Sequence, residues 1–235
     1  FSYRKGLYFN KWKDKRNYTV HKDNPTAQSD ECLICLTPLL KDISFAHLVK
    51  RIPLCQHCLQ KFDVIQTCID FYHYPLTILY TYNDFFQSLL FQYKGLYDHA
   101  LKDAFLCLFQ SEFDNQYKDY IIVVAPSSQE DNELRGFAPV ETIAQTFSSQ
   151  IFNGLYKKEK YKQSDLSYQE RKRVARRIDI RDGEKLKGKK VLILDDVITS
   201  GSTLHSCLLL VLAQEPQSVE LLALSTKNIG RIEVC

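Results

Sequence analysis

KVLILDDVITSGSTL, running from Lys190 to Leu204, decides the fold. Val191 to Leu194 are four apolar residues in a row with no alternation. Such a strand is covered on both faces, as in the parallel sheet of an α/β layer fold. Two adjacent carboxylates follow, Asp195 and Asp196. Then comes the small, hydroxyl-rich run Thr199, Ser200, Gly201, Ser202, Thr203, opening a helical pattern of Leu204, Leu208, Leu209, Val211 and Leu212. In open α/β sheets, ligands bind beyond the carboxyl ends of the strands. A glycine-containing loop entering a helix offers backbone N–H groups and the positive end of a helix dipole to a phosphate. Carboxylates beside it accept hydrogen bonds from sugar hydroxyls. The stretch therefore implies a ribose 5-phosphate pocket, with Asp195 and Asp196 on the ribose and Thr199 to Thr203 on the phosphate. A Walker-type strand end is the plain alternative, but the chain has no GxxxxGK[ST] loop and no GxGxxG.

Working outward, Tyr120 to Ala125 forms a second continuous apolar strand closed by Pro126, and Val219 to Leu224 a third. Between the second and central strands, Ser127 to Arg135 reads as a loop, Val140 to Phe147 as a helix, and Ile151 to Tyr156 as a short strand. Strand–helix alternation of this kind predicts a doubly wound parallel sheet with helices on both faces. Ahead of it, the alternation from Cys68 to Tyr82 predicts a hairpin. Asn83 and Asp84 cap a helix through Tyr93, closed by Lys94 and Gly95, and Tyr97 to Phe109 reads as one further helix.

Cys32, Cys35, Cys55 and Cys58 form C-x2-C-x19-C-x2-C. Two knuckles, each placing two thiolates on one tight turn, suit tetrahedral zinc with no open position, a structural site. His47 and His57 read as neighbours of that site rather than ligands. The expected organisation is an extension over 1–30, a four-cysteine module over 31–66 and the α/β domain over 67–235. The extension is aromatic and basic, either a partly ordered tail or an arm touching nucleic acid.

The chain of 235 residues is 45% hydrophobic and carries a net charge of +3. No apolar run approaches a membrane span, and Phe1 to Lys22 has no apolar core of a signal peptide, which predicts a cytoplasmic protein. Charge is unevenly spread: residues 157 to 190 hold 14 Lys and Arg against 6 Asp and Glu, while the remainder holds 17 against 22. Such a basic segment either tracks a nucleic acid backbone or is a solvated surface.

ILDDVITSGST resembles the phosphoribosyl diphosphate (PRPP) signature of type I phosphoribosyltransferases. Together with the four cysteines, Arg135-Gly136-Phe137, Lys94-Gly95 and the QSxLSxxER stretch from Gln163 to Arg171, it resembles the ComF/ComFC family of competence proteins. That resemblance implies a part in the uptake or handling of single-stranded DNA, alongside a helicase-type ATPase and a recombination mediator at the inner face of the membrane. It implies a pyrophosphate loop containing Ser127, Ser128, Arg135 and Gly136, and within the basic segment Arg171, Lys172, Arg173, Arg176 and Arg177 are the candidate DNA backbone contacts. Mg2+ would accompany a PRPP-type ligand. The chain departs from the family at Glu130, Asp131 and Glu133, acidic residues where a pyrophosphate would be repelled. A competence accessory protein is therefore the favoured reading, and an active phosphoribosyltransferase the alternative.

Overall fold

The computed structural model describes residues 31–39, 52–158 and 178–227. The extension over 1–30 and the DNA-contact candidates Arg171, Lys172, Arg173, Arg176 and Arg177 lie outside them. The described strands are β1 (Val64–Phe71), β2 (Tyr74–Thr81), β3 (Tyr120–Val124), β4 (Ile151–Phe152), β5 (Leu155–Lys157), β6 (Ile178–Ile180), β7 (Lys190–Ile198) and β8 (Ser218–Thr226). The principal helices are α1 (Asp84–Gly95), α2 (Gln110–Gln116), α3 (Gln129–Arg135), α4 (Pro139–Ala144) and α5 (Ser202–Leu212).

Six strands form the sheet in the order β1-β2-β8-β7-β3-β4. All neighbours are parallel except β1 and β2, the expected hairpin. The run from Val191 to Leu194 is fully buried at the sheet's centre because its alternate residues feed two different cores. Leu192 and Leu194 join Phe86, Tyr93 and Ile143 on one face, under α1 and α4. Val191 and Ile193 join Leu204, Cys207, Leu208 and Val211 on the other, under α5. The α5 contacts fall at i, i+3, i+4 and i+7, the stripe of an amphipathic helix. Leu209, expected within that stripe, is exposed. Burying each large aliphatic residue stabilises by about 1.5–3 kcal/mol, so this doubly covered strand anchors the domain.

Several local expectations are corrected. Tyr97 to Phe109 is broken into a 3-10 turn over His99–Leu101, a short helix over Lys102–Phe105 and a turn leading into α2. The reason lies at Phe105. Its carbonyl receives the buried Tyr80 hydroxyl at 2.8 Å, and the Phe109 amide turns to Leu106 instead. Five successive apolar residues, Phe105 to Phe109, also cannot share one helical stripe. Ile151 to Tyr156 divides into β4 and β5, with β5 pairing antiparallel to β6 outside the main sheet.

The β1–β2 turn places Tyr72 and His73 at φ of 53° and 69°, where glycine or asparagine is usual. Two contacts hold it there. The His73 amide donates to Asp70 Oδ1 at 2.9 Å, and the Tyr72 ring stacks on His205 at 3.8 Å.

The four-cysteine segment shares a core with the α/β domain. Cys32, Ile52, Leu54, Cys55 and Cys58 belong to the same buried cluster as Tyr80 and Phe86. Phe62 bridges the two, with its ring 5.0 Å from Tyr80 and 5.1 Å from Phe85. β1 begins at Val64, before the boundary at residue 67 drawn from the sequence.

Candidate functional site: a crevice at the strand ends

From β3 the chain passes through α4, on one face, to β4 on the far side from β7. From β7 it passes through α5, on the opposite face, to β8 on the far side from β3. β3 and β7 are therefore neighbours whose onward connections diverge, and beyond the carboxyl ends of such a pair a ligand crevice opens. The two strands part after Leu194, where the Ala125 amide donates to the Leu194 carbonyl at 2.8 Å. β3 then leaves through Pro126, while β7 continues to Ile198 paired with β8 alone. Asp195 and Asp196 lie within this one-sided extension, not at the strand's end as the sequence suggested.

That continuation separates the two carboxylates. Successive side chains of a strand point to opposite faces. Asp195 follows Val191 and Ile193 toward the α5 side, and Asp196 follows Leu192 and Leu194 toward the α1 side. A cleft is lined by Asp195, Val197 and the continuous run Ile198, Thr199, Ser200, Gly201, Ser202, Thr203, Leu204. Asp195 thus meets the whole predicted phosphate loop, whereas Asp196 does not line this cleft.

Gly201 sits at φ 77°, a left-handed conformation that glycine adopts without steric cost. It turns the chain into α5, and its carbonyl accepts the His205 amide at 2.8 Å. Ser200 and Ser202 hydroxyls lie 3.0 Å apart and exposed. First-turn amides and hydroxyls on this turn supply the donors that a phosphate needs.

Burial first, and then the adjacent charge of Asp196, push the Asp195 carboxyl up to about 7. The Asp196 amide, Lys94 and Lys157 oppose that rise, with the amide 2.9 Å from Asp195 Oδ1. Near neutrality Asp195 can therefore either accept from a sugar hydroxyl or donate to a phosphate oxygen.

Lys94 at the end of α1 forms an ion pair with Asp196. The sequence marked Lys94 as part of a motif without giving it a site role. Its pairing depends on a contact across 102 residues that no local pattern carries. Arg135 Nε donates to the Lys94 carbonyl at 3.0 Å, and the same guanidinium reaches Asn132 Oδ1 at 3.3 Å and Asp131 at 3.8 Å. Tyr93, one residue before Lys94, donates its buried hydroxyl to the Pro139 carbonyl at 2.8 Å, tying α1 to α4.

The expected loop from Ser127 to Arg135 is the helix α3. Ser128 caps it by accepting from the Asp131 amide at 3.5 Å, Glu130 and Asp131 occupy its first turn, and Arg135 its last. Gly136 closes it at φ 82°. These are ordinary helix start and stop signals, legible in SSQEDNELRG. They also explain the acidic residues, which complement the helix dipole. Of the pyrophosphate-loop candidates, Ser127 donates to Asn132 at 2.7 Å, Ser128 and Gly136 terminate α3, and Arg135 holds Lys94. None of the four lines the Asp195 cleft.

At the other candidate site, the ligand atoms of Cys32, Cys35, Cys55 and Cys58 all lie within 4.8 Å of one another. Tetrahedral zinc with bonds of about 2.3 Å would set its sulfurs about 3.8 Å apart, and Cys35 and Cys55 Sγ are 3.5 Å apart. Burial, then the neighbouring Cys35 and Cys32, push the Cys58 thiol up, so four thiolates here would need a cation. The donor set fits a small zinc module. His57 is not in the cluster.

Residues 114–234 match the model of the phosphoribosyl transferase domain. The chain belongs to that family. It is also similar to the competence protein ComFC of Bacillus subtilis (strain 168), with 31% identity over 129 residues, 54% of this chain and 53% of that protein. ComFC of Streptococcus pneumoniae (strain ATCC BAA-255 / R6) is 31% identical over 127 residues, 54% of this chain and 57% of that one. The chain thus spans about half the length of the curated relatives it matches, and the expected ComFC resemblance is borne out over that half. Likeness to solved structures is slighter. A hypoxanthine phosphoribosyltransferase from Staphylococcus aureus is 15% identical at a TM-score of 0.35, covering 53% of this chain and 62% of that one. A purine phosphoribosyltransferase from Pyrococcus horikoshii Ot3 is 16% identical at 0.35, covering 53% and 72%. Among the described residues, no helix is long and apolar enough to cross a membrane.

Proposed function

We propose that this protein is a cytoplasmic competence factor that handles incoming single-stranded DNA and holds a ribose 5-phosphate-type ligand in the crevice at Asp195. The observation that carries the pocket is the junction of Asp195 with the Thr199–Thr203 turn at the divergence of β3 and β7. Resemblance to ComFC proteins supports the competence role. Chemically, the turn binds the phosphate through backbone amides and hydroxyls, while Asp195 orients a ribose hydroxyl. Zinc, held by Cys32, Cys35, Cys55 and Cys58, would fix the N-terminal edge of the core without taking part in chemistry. The basic segment, with Arg171, Lys172, Arg173, Arg176 and Arg177, would track the DNA backbone. The helicase-type ATPase and recombination mediator would be met at the inner face of the membrane. Steady turnover is disfavoured because Arg135, the one basic residue of the expected pyrophosphate loop, is engaged with Lys94 and Asn132.

The test is transformation of a competent deletion strain complemented with the full chain. Asp195→Ala combined with Ser202→Ala is expected to fall to the deletion background at normal protein level. Wild-type frequency in that variant would refute a role for the pocket. Base-dependent, steady pyrophosphate release from PRPP would instead establish the transferase reading.

A further inference from the structure

Asp196, which faces α1 rather than the Asp195 cleft, already has a cation. Lys94 reaches it from the last turn of α1, and the lysine is held in place by its own backbone. Arg135 grips the Lys94 carbonyl at 3.0 Å, and the preceding Tyr93 is locked to the Pro139 carbonyl at 2.8 Å. The Lys94 side chain is 30% exposed and that of Asp196 14%, so the pair is neither sealed in the core nor free in solvent. Lys157 of β5 lies within electrostatic reach of Asp195. Asp196 is thus paired with an ammonium contributed by the chain itself.

Mg2+ suits such a site poorly. It demands near-octahedral oxygen ligands, dehydrates reluctantly and is usually held by one or two carboxylates together with substrate phosphates. Here Asp196 is engaged by Lys94, and one oxygen of Asp195 already accepts the Asp196 amide. A metal at Asp196 would have to displace an anchored lysine or sit beside its charge. Among the described residues, the crevice therefore offers Mg2+ no pair of free carboxylates. A lysine ammonium carries three N–H donors and can bridge a carboxylate to an anionic ligand.

Building on the sugar-phosphate reading of the crevice, we propose that Lys94 takes the place of a divalent cation, so that a phosphorylated ribose carrying a pyrophosphate binds without metal. Arg135 acts as a positioning residue that sets the height of the ammonium through the Lys94 carbonyl.

Calorimetric titration of the full-length, zinc-loaded protein with PRPP tests this, with Mg2+ withheld in one arm and in excess in the other. A parallel titration uses ribose 5-phosphate. Wild-type affinity for PRPP is expected to agree between the two arms to within about threefold. Lys94→Met is expected to lose about tenfold or more without Mg2+, the size of one charge-assisted contact. Lys94→Arg should retain most of the binding. Wild-type PRPP binding that appears only with Mg2+, alongside metal-independent ribose 5-phosphate binding, would overturn the proposal and leave the pocket reading intact. Equal metal-free binding by Lys94→Met would do the same. Failure of both ligands in every arm would bring down the pocket reading and this inference with it. The wild-type comparison decides the matter even if Lys94→Met does not fold.

Discussion

Replacing Asp195 with asparagine should make the protein more stable at pH 8 and leave it nearly unchanged at pH 4. The carboxyl of Asp195 is raised to about 7 from an ordinary value of 3.8, by burial first and by Asp196 second. The folded chain therefore keeps a proton that the unfolded chain releases across that interval. Protons favour folding there, so this contribution is fully present below pH 3.8, lost as pH rises toward 7, and level above it. The full linkage would be about 4 kcal/mol. Because the side chain is only half-buried, solvent screening brings the expected effect to about 1–2 kcal/mol. Asparagine keeps the oxygen that accepts the Asp196 amide, so the substitution removes charge without removing that bond. Urea denaturation of wild type and Asp195→Asn at matched pH values from 4 to 8 measures it. The difference between the two should open from about pH 4 upward and hold constant above pH 7. A gap that does not change with pH would show that the carboxylate is not strained by its surroundings. The stabilised variant should also bind sugar phosphate less well, since the buried charge is kept for function at a cost in stability.

Other outcomes follow from the same geometry. Tyr80→Phe removes the donor on the Phe105 carbonyl and leaves that acceptor buried, which should destabilise by about 1–3 kcal/mol in denaturant titration; no loss would mean the helix break has another cause. Cys58→Ser should abolish stoichiometric zinc measured by metal analysis and, because the cysteines share the domain core, lower the melting temperature of the whole protein. His73→Gly relieves a left-handed residue on an exposed turn and should stabilise by up to about 1–2 kcal/mol, read from the denaturation midpoint.

The parts of this molecule that could be read in advance are those where a local pattern has one physical outcome. Val191 to Leu194 had to be covered on both faces, and two C-x2-C pairs had to meet. Asn83 had to cap α1, and it does so by accepting from the Phe86 amide at 2.9 Å. The reading failed where a distant partner decides. Phe105 ends its helix because Tyr80, 25 residues earlier, takes its carbonyl. Asp195 and Asp196 part company because β8 continues alongside β7 past Leu194, which the sequence of β7 alone does not say. α3 was different: Ser128, Glu130, Asp131, Arg135 and Gly136 spelled a capped helix, and the absence of an apolar stripe hid it. A helix with no buried residue gives no periodicity to read.

The strand order has a kinetic meaning. β2 is made early, yet its only parallel neighbour is β8: Leu76 pairs with Leu221, 145 residues later. Until β8 leaves the ribosome, the apolar edge of the hairpin lacks this partner, and a loop of that length must close before any contact rewards it. The nascent chain is therefore exposed to misassociation through that edge until β8 is made. A chain truncated before β8 loses the strand that joins the hairpin to β7. Such a fragment should be a client for chaperones rather than a smaller working protein.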